Sequence, residues 1–200
     1  MNMIESMNNY SRATSEETFG EILIDFLDKF LQWLEEMANT KPKYYNIVMI
    51  ENVEYIIQRL DKSNIWKQKH VKLNQLYDDN VEKYMKYIFE YQFPKYAEYM
   101  KEVRKLIEGN ESLEEKSKYN EKAFNSMVSS TFGNLAKNCK SMNERIKKHL
   151  KSSDALKNDM YNKLKDYIKK EYEDVESIAE KHYPNLSLSP GKEEVERELE

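Results

Sequence analysis

Two hundred residues with only four glycines, four prolines and one cysteine exclude a sheet-rich fold of many tight turns and any internal disulfide. The chain is 34% charged and 40% apolar, with a net charge of −4, which suits helices that each bury one stripe. Its longest aliphatic run, Ile47 to Ile50, falls far short of the roughly 20 residues of a membrane-spanning helix.

The polar segment from Met1 to Ser15 has no basic-then-apolar secretory pattern. Together with the single cysteine, it makes a soluble, cytoplasmic chain the expectation. Residues 1–14 are expected to be a flexible N-terminus. Thr14-x-x-Glu17 has capping-box spacing, and Phe19, Ile22, Leu23, Phe26, Leu27, Phe30, Leu34 and Met37 recur at helical spacing. A first helix is therefore expected over 15–38. Pro42 opens a second, over 42–61, with Ile47, Ile50, Val53, Ile57 and Leu60 on one face. Asp61 to Asn64 reads as a polar turn with Asn64 as a cap.

A third helix runs from Ile65 to about Phe93, with Leu73, Leu76, Tyr77, Val81, Tyr84, Met85, Ile88 and Tyr91 as its stripe. Tyr77, Tyr84 and Tyr91 recur every seven residues, the spacing of a seam between helices. Pro94 must break or kink this helix, and a fourth follows from Pro94 to Glu108. Gly109-Asn110 is a C-cap signal. Helices over about 119–132, 134–150 and 154–182 follow, separated by Gly133 and the capping turn Ser152-Ser153-Asp154. Pro184 stops the last, and residues 185–200 read as a flexible acidic tail. The expected fold is all-α: an elongated helical-bundle rod of about seven helices, forming one domain over 15–184.

Catalytic and metal signatures are missing. His70, His149 and His182 are far apart in sequence, and there is no His-Glu-x-x-His or Cys-x-x-Cys. Cys139 lies on an apolar stripe and reads as a small core residue. Glu35-Glu36 and Asp78-Asp79 are adjacent pairs, which diverge by about 100° on a helix and cannot flank one bond. No enzyme, no cofactor, no metal and no nucleic-acid partner is expected. Charge is uneven along the chain. Residues 1–38 hold eight acidic and two basic side chains, whereas 134–170 hold eleven Lys/Arg against four Asp/Glu. Within the basic tract Lys147, Lys148, Lys151, Lys165 and Lys169 are candidates for contact with an anionic surface, and a solvated helix face is the plainer reading.

Two blocks of residues go further. The first is Glu51-Asn52 inside a helix, then Tyr77, Tyr84 and Pro94. The second is Lys148-His149-Leu150, then Leu156, Tyr161, Tyr172 and a closing Tyr183-Pro184. Their order and spacing resemble the C-terminal helical region of exocyst component one, the Sec-three subunit of a vesicle-tethering complex. The resemblance covers about residues 18–184. Val53 and Glu54 stand where the family has an aromatic and then histidine, and Tyr161 stands where tryptophan is typical. The family's N-terminal lipid-binding domain and core-assembly helices lie outside the resemblance.

The resemblance implies a tethering-complex (CATCHR-like) bundle acting in exocytosis. Such a subunit is a non-enzymatic scaffold that helps dock secretory vesicles at the plasma membrane. Its partners would be other exocyst subunits, with anionic membrane lipids or small GTPases as further candidates. Its place would be the cytoplasm, peripheral at the plasma membrane or secretory vesicles. The alternative is a peripheral membrane-binding module using the basic surface of helices 6 and 7.

Overall fold

The computed structural model describes the backbone of residues 3–60, 64–113 and 115–200, and side chains from Gly20 onward apart from 61–68 and 114. The described residues are all-helical. They form α1 (Met3–Asn39), a 3₁₀ turn (Pro42–Tyr44), α2 (Tyr45–Leu60), α3 (Asn64–Gln92), α4 (Pro94–Glu108), α5 (Glu121–Phe132), α6 (Leu135–His149), α7 (Asp154–His182) and α8 (Lys192–Leu199). The chain divides into two compact units, Met1–Val81 and Glu82–Glu200, where the sequence suggested one domain.

In the first unit, α1 buries Leu27, Leu31, Leu34 and Ala38 against Met49 and Val53 of α2 and Leu73 of α3. The spacing of the α1 residues is that of one helical face. Asp28 accepts hydrogen bonds from Lys69 (2.6 Å) and Lys72 (3.1 Å), tying α1 to the start of α3. Those bonds hold the Asp28 carboxyl below its usual range. The carboxylate is more than one-third exposed, so the pair adds little stability. The helical backbone of α1 begins at Met3 rather than at Ser15, and no Gly or Pro precedes Gly20 to stop it. Residues 3–14, expected as part of a flexible terminus, are thus helical. The side chains of the Thr14–Glu17 capping box lie outside the described residues, as does the expected turn at 61–63.

In the second unit, α3 ends at Gln92, as Pro94 dictates, and Pro94 is the first residue of α4. α4 ends at Glu108, and the left-handed position after it is taken by Asn110 (φ 53°), not by Gly109. Asparagine tolerates that conformation through its short polar side chain. The Asn120 side chain caps α5 by accepting from the Ala123 amide at 3.0 Å. At Gly133, which follows α5, a Cβ would lie 2.5 Å from the Ser129 carbonyl oxygen, so no larger residue fits without a backbone shift. Ser153 caps α7 through the Leu156 amide at 3.1 Å.

The interior of this unit is aromatic. Phe132 meets Tyr96 and Tyr172 edge-on at 5.7 and 5.1 Å, and Phe89 lies 5.0 Å from Phe93 and 5.3 Å from Tyr96. Around it Met100, Val128, Leu135, Ile146, Leu164 and Ile168 are buried.

Three expectations are corrected here. Tyr91 does not continue the Tyr77–Tyr84 seam. It is 55% exposed and carries the Arg145 guanidinium 3.6 Å from its ring centroid, while Phe89 takes the interior position. Leu76 is half-buried rather than buried. The acidic segment 185–200, expected as a flexible tail, carries α8, whose Val195 and Leu199 are buried and which packs on α6 and α7.

Candidate functional site

The residues singled out by sequence fall on packed helical faces. In the first unit, Asn52 is exposed and its side-chain amide donates to the Val48 carbonyl at 2.8 Å, one turn back. Glu51 is half-buried beside it, and Tyr77 packs against the α1–α2–α3 core.

In the second unit, the two sequence blocks meet. The buried Tyr84 hydroxyl lies 3.1 Å from His149 Nδ1, and the Tyr87 ring stacks on the same imidazole at 6.4 Å. Leu150 and Leu156 are buried on either side of the α6–α7 turn, while Tyr161 is half-buried. The Tyr172 hydroxyl donates to the Pro190 carbonyl at 2.6 Å, fixing the segment that leads into α8. Burial, with Glu176 and Glu194 nearby, pushes that phenol up to about 12. Tyr183 donates to the Tyr119 carbonyl, and Pro184 is exposed.

One cluster of polar groups was not found from sequence. Glu171 on α7 accepts from the Tyr96 hydroxyl (2.9 Å), the Tyr167 hydroxyl (2.8 Å) and Arg104 (3.1 Å), and Arg104 also donates to Asp174 at 2.7 Å. Burial raises the Tyr96 and Tyr167 phenols, and the Glu171 charge raises them further. This network joins α4 to α7. Only the Tyr167–Glu171 spacing of four was visible in the sequence; the α4 partners arrive through tertiary packing.

Of the candidate lysines, Lys147, Lys148, Lys151 and Lys169 are exposed. Lys165 is not free in solvent. It is half-buried, donates to the Glu200 carbonyl at 3.2 Å and lies 5.0 Å from the Tyr161 ring centroid. Lys147 pairs with Glu144 at 3.1 Å, and Lys157 with Asp154 at 2.9 Å, which reduces the field of the tract.

Among the described residues, no group of three or more His, Cys, Asp or Glu side chains is placed to hold a metal. No helix there is long and apolar enough to cross a membrane. Cys139 is buried, and burial pushes its thiol up to about 11. At pH 8 only on the order of one thiol in a thousand is then the reactive thiolate. We expect a thiol-specific disulfide reagent to leave Cys139 unmodified in the folded protein at pH 8, and to label it in denaturant. Rapid native labelling would contradict the buried placement on α6.

The arrangement is therefore one of helix-to-helix joints. The family model described as "Exocyst complex component Sec3, C-terminal" matches residues 23–185. The chain belongs to this family. Most of both units, and both sequence blocks, lie within the match. Sec3 is a subunit of the exocyst, so the family places the chain among vesicle-tethering subunits that interact with other exocyst subunits. The Sec3 family is one of tethering scaffolds and is not known as an enzyme family. No curated protein and no solved structure matches the chain.

Proposed function

We propose that the chain is a non-enzymatic scaffold that holds other exocyst subunits while secretory vesicles dock at the plasma membrane. The observation that carries this reading is the Sec3 match over residues 23–185, a span whose distinctive residues are spent on packing: Tyr84 on His149, Tyr172 on the Pro190 carbonyl, Tyr183 on the Tyr119 carbonyl. Stiffness supports the same job. A helix of 29 residues such as α7 extends about 40 Å at 1.5 Å per residue, so partners can be held apart at set distances along it. The test is affinity purification of the tagged chain from its native cells. Recovery of the other exocyst subunits in stoichiometric amounts is the expected result; recovery of none of them would overturn the reading.

Membrane contact through the basic tract is a separate reading, and the charges there weigh against it. A lysine near an anionic leaflet contributes about 1 kcal/mol, screened over roughly 8 Å at physiological salt. Glu144, Asp154, Asp159 and Asp166 are interspersed with the lysines, and Lys165 is engaged by Glu200. The chain alone should therefore fail to float with vesicles containing acidic lipid at physiological salt. Strong flotation there, abolished by Lys147→Glu and Lys151→Glu, would instead establish the peripheral-membrane reading.

A further inference from the structure

α8 sits on α6 and α7 as a ligand sits in a site. Its two buried residues, Val195 and Leu199, are four apart and share one face. Both of its ends are matched by charge. At the start of α8, Lys192 pairs with Glu176 (3.6 Å) and Glu173 (3.8 Å) of α7. At the other end, Glu198 accepts from the Ala136 amide at 2.9 Å, and Lys165 of α7 donates to the Glu200 carbonyl at 3.2 Å. Asn134 gives α6 no side-chain cap, so the Glu198 carboxylate satisfies an amide that α6 leaves open, at the positive end of its dipole. Between the two ends, Lys169, Tyr172 and Glu173 of α7 line a crevice against Val195 and Glu196.

The fastening changes character at Gly191. Before it, the backbone is held in place. The Ser189 amide donates to Asn125 Oδ1 at 3.1 Å, the Ser189 carbonyl accepts from the Ser129 hydroxyl at 2.5 Å, and the Tyr172 hydroxyl holds the Pro190 carbonyl at 2.6 Å. After it, α8 rests on two apolar side chains and on polar contacts that lie at the surface. A Cβ at Gly191 would meet nothing within 4 Å, so the joint has room to turn. An eight-residue helix does not hold its shape alone in water, so α8 is a helix only while seated. The seat on α6 and α7 lies inside the span matched by the Sec3 family model, and α8 lies beyond it.

We infer that the α6–α7 seat is a docking groove for an acidic amphipathic helix of another protein, and that α8 fills it within the chain as a plug which that helix displaces. The partner's pattern is read from the plug. It has two aliphatic residues four apart, a glutamate just before the second, and a lysine three residues before the first. Its glutamate takes the Ala136 amide, its lysine meets Glu173 and Glu176, and its remaining carboxylates lie toward Lys165 and Lys169. The plug has the same bias, with five glutamates against Lys192 and Arg197 over residues 192–200. Exchange of α8 between two copies would remake the same contacts and gain nothing over the closed chain, while association itself is costly. The occupant is therefore a different protein. The groove is a property of the second unit and does not depend on the tethering role.

The test uses the full chain and a fluorescent synthetic peptide with the sequence of residues 191–200, held helical by a side-chain cross-link. By anisotropy, the Val195→Asp/Leu199→Asp chain, whose own plug is expelled, should bind the peptide at least about tenfold more tightly than the wild type. A peptide carrying Glu198→Lys should lose about tenfold in affinity for that chain. Lys192→Ala/Glu198→Ala in the full chain loosens the plug and leaves the seat intact, so it should bind the parent peptide at least about threefold more tightly than the wild type. This second variant decides the matter if the aspartate variant loses hydrogen-exchange protection in α7. No binding to either variant, equal binding to all three chains, or indifference to Glu198→Lys in the peptide would overturn the inference. So would a concentration-dependent wild-type dimer that Val195→Asp/Leu199→Asp abolishes, because the occupant would then be a second copy. A failed affinity purification of exocyst subunits alongside a positive peptide result would overturn the tethering reading alone.

Discussion

Replacing Phe132 by alanine should cost about 3–5 kcal/mol, the range for emptying a buried aromatic site. Phe132 is 1% exposed and ends α5 immediately before Gly133. Its ring lies edge-on to Tyr96 and Tyr172 and within 6.4 Å of Phe89, so four helices lose a shared contact at once. Each aromatic pair adds about 0.5–1.5 kcal/mol beyond its buried area. The surrounding rings cannot collapse freely into the space, because Tyr96 is held by Glu171 and Tyr172 by the Pro190 carbonyl. That restraint puts the cost toward the upper end of the range. Urea denaturation followed by tyrosine fluorescence, comparing wild type with Phe132→Ala and with Phe132→Leu, measures it. A loss below about 1 kcal/mol for the alanine variant would mean that Phe132 is not at the centre of this core.

Where the chain is punctuated by residues with hard backbone rules, the sequence was sufficient to place the elements. α4 begins at Pro94 because proline has no amide hydrogen to donate and restrains Phe93. α7 begins after Ser153 because a serine there satisfies an orphan amide, and both bounds agree with the expectation. The Tyr84–His149 contact joins two segments 65 residues apart; the resemblance to Sec3 marked both residues, but no spacing could show that they touch.

The misreadings have physical causes. Tyr91 lies seven residues after Tyr84, yet a straight helix drifts by about 20° over seven residues, which carries a third tyrosine to the edge of the buried face, where Arg145 covers its ring. On α1 the residues that recur at helical spacing do not share one fate: Leu27 and Leu34 are buried, whereas Ile22, Phe26 and Met37 are exposed. Periodicity reports which faces are apolar and cannot report which of them the rest of the chain covers. Lys165 was taken for a free cation because its partner, the Glu200 carbonyl, belongs to a segment expected to be mobile.

That segment carries the second large effect. Substituting both Val195 and Leu199 by aspartate should undock α8 and lower the stability of the second unit by several kcal/mol. In α8 the two side chains are four residues apart, hence on one face, and each is nearly inaccessible. Full burial of an aliphatic side chain contributes roughly 1.5–3 kcal/mol, and a buried unpaired carboxylate would cost more still. The penalty is capped, however, because the helix can detach instead of burying the charge. What detachment then forfeits is specific. It loses the Glu198 carboxylate on the Ala136 amide (2.9 Å), the Lys165 bond to Glu200, and the ion pairs of Lys192 with Glu176 (3.6 Å) and Glu173 (3.8 Å). It also exposes to water the α7 surface around Lys169, Tyr172 and Glu173 that lies beside Val195. An isolated eight-residue helix is not stable in water, so residues 192–199 would lose their structure on release. Amide hydrogen exchange distinguishes the outcomes. Protection should be present over 192–199 in the wild type, be lost there in the double variant, and persist in α7 at least up to Tyr172. Protection that is already absent from 192–199 in the wild type would show that the segment is the mobile tail its composition suggests.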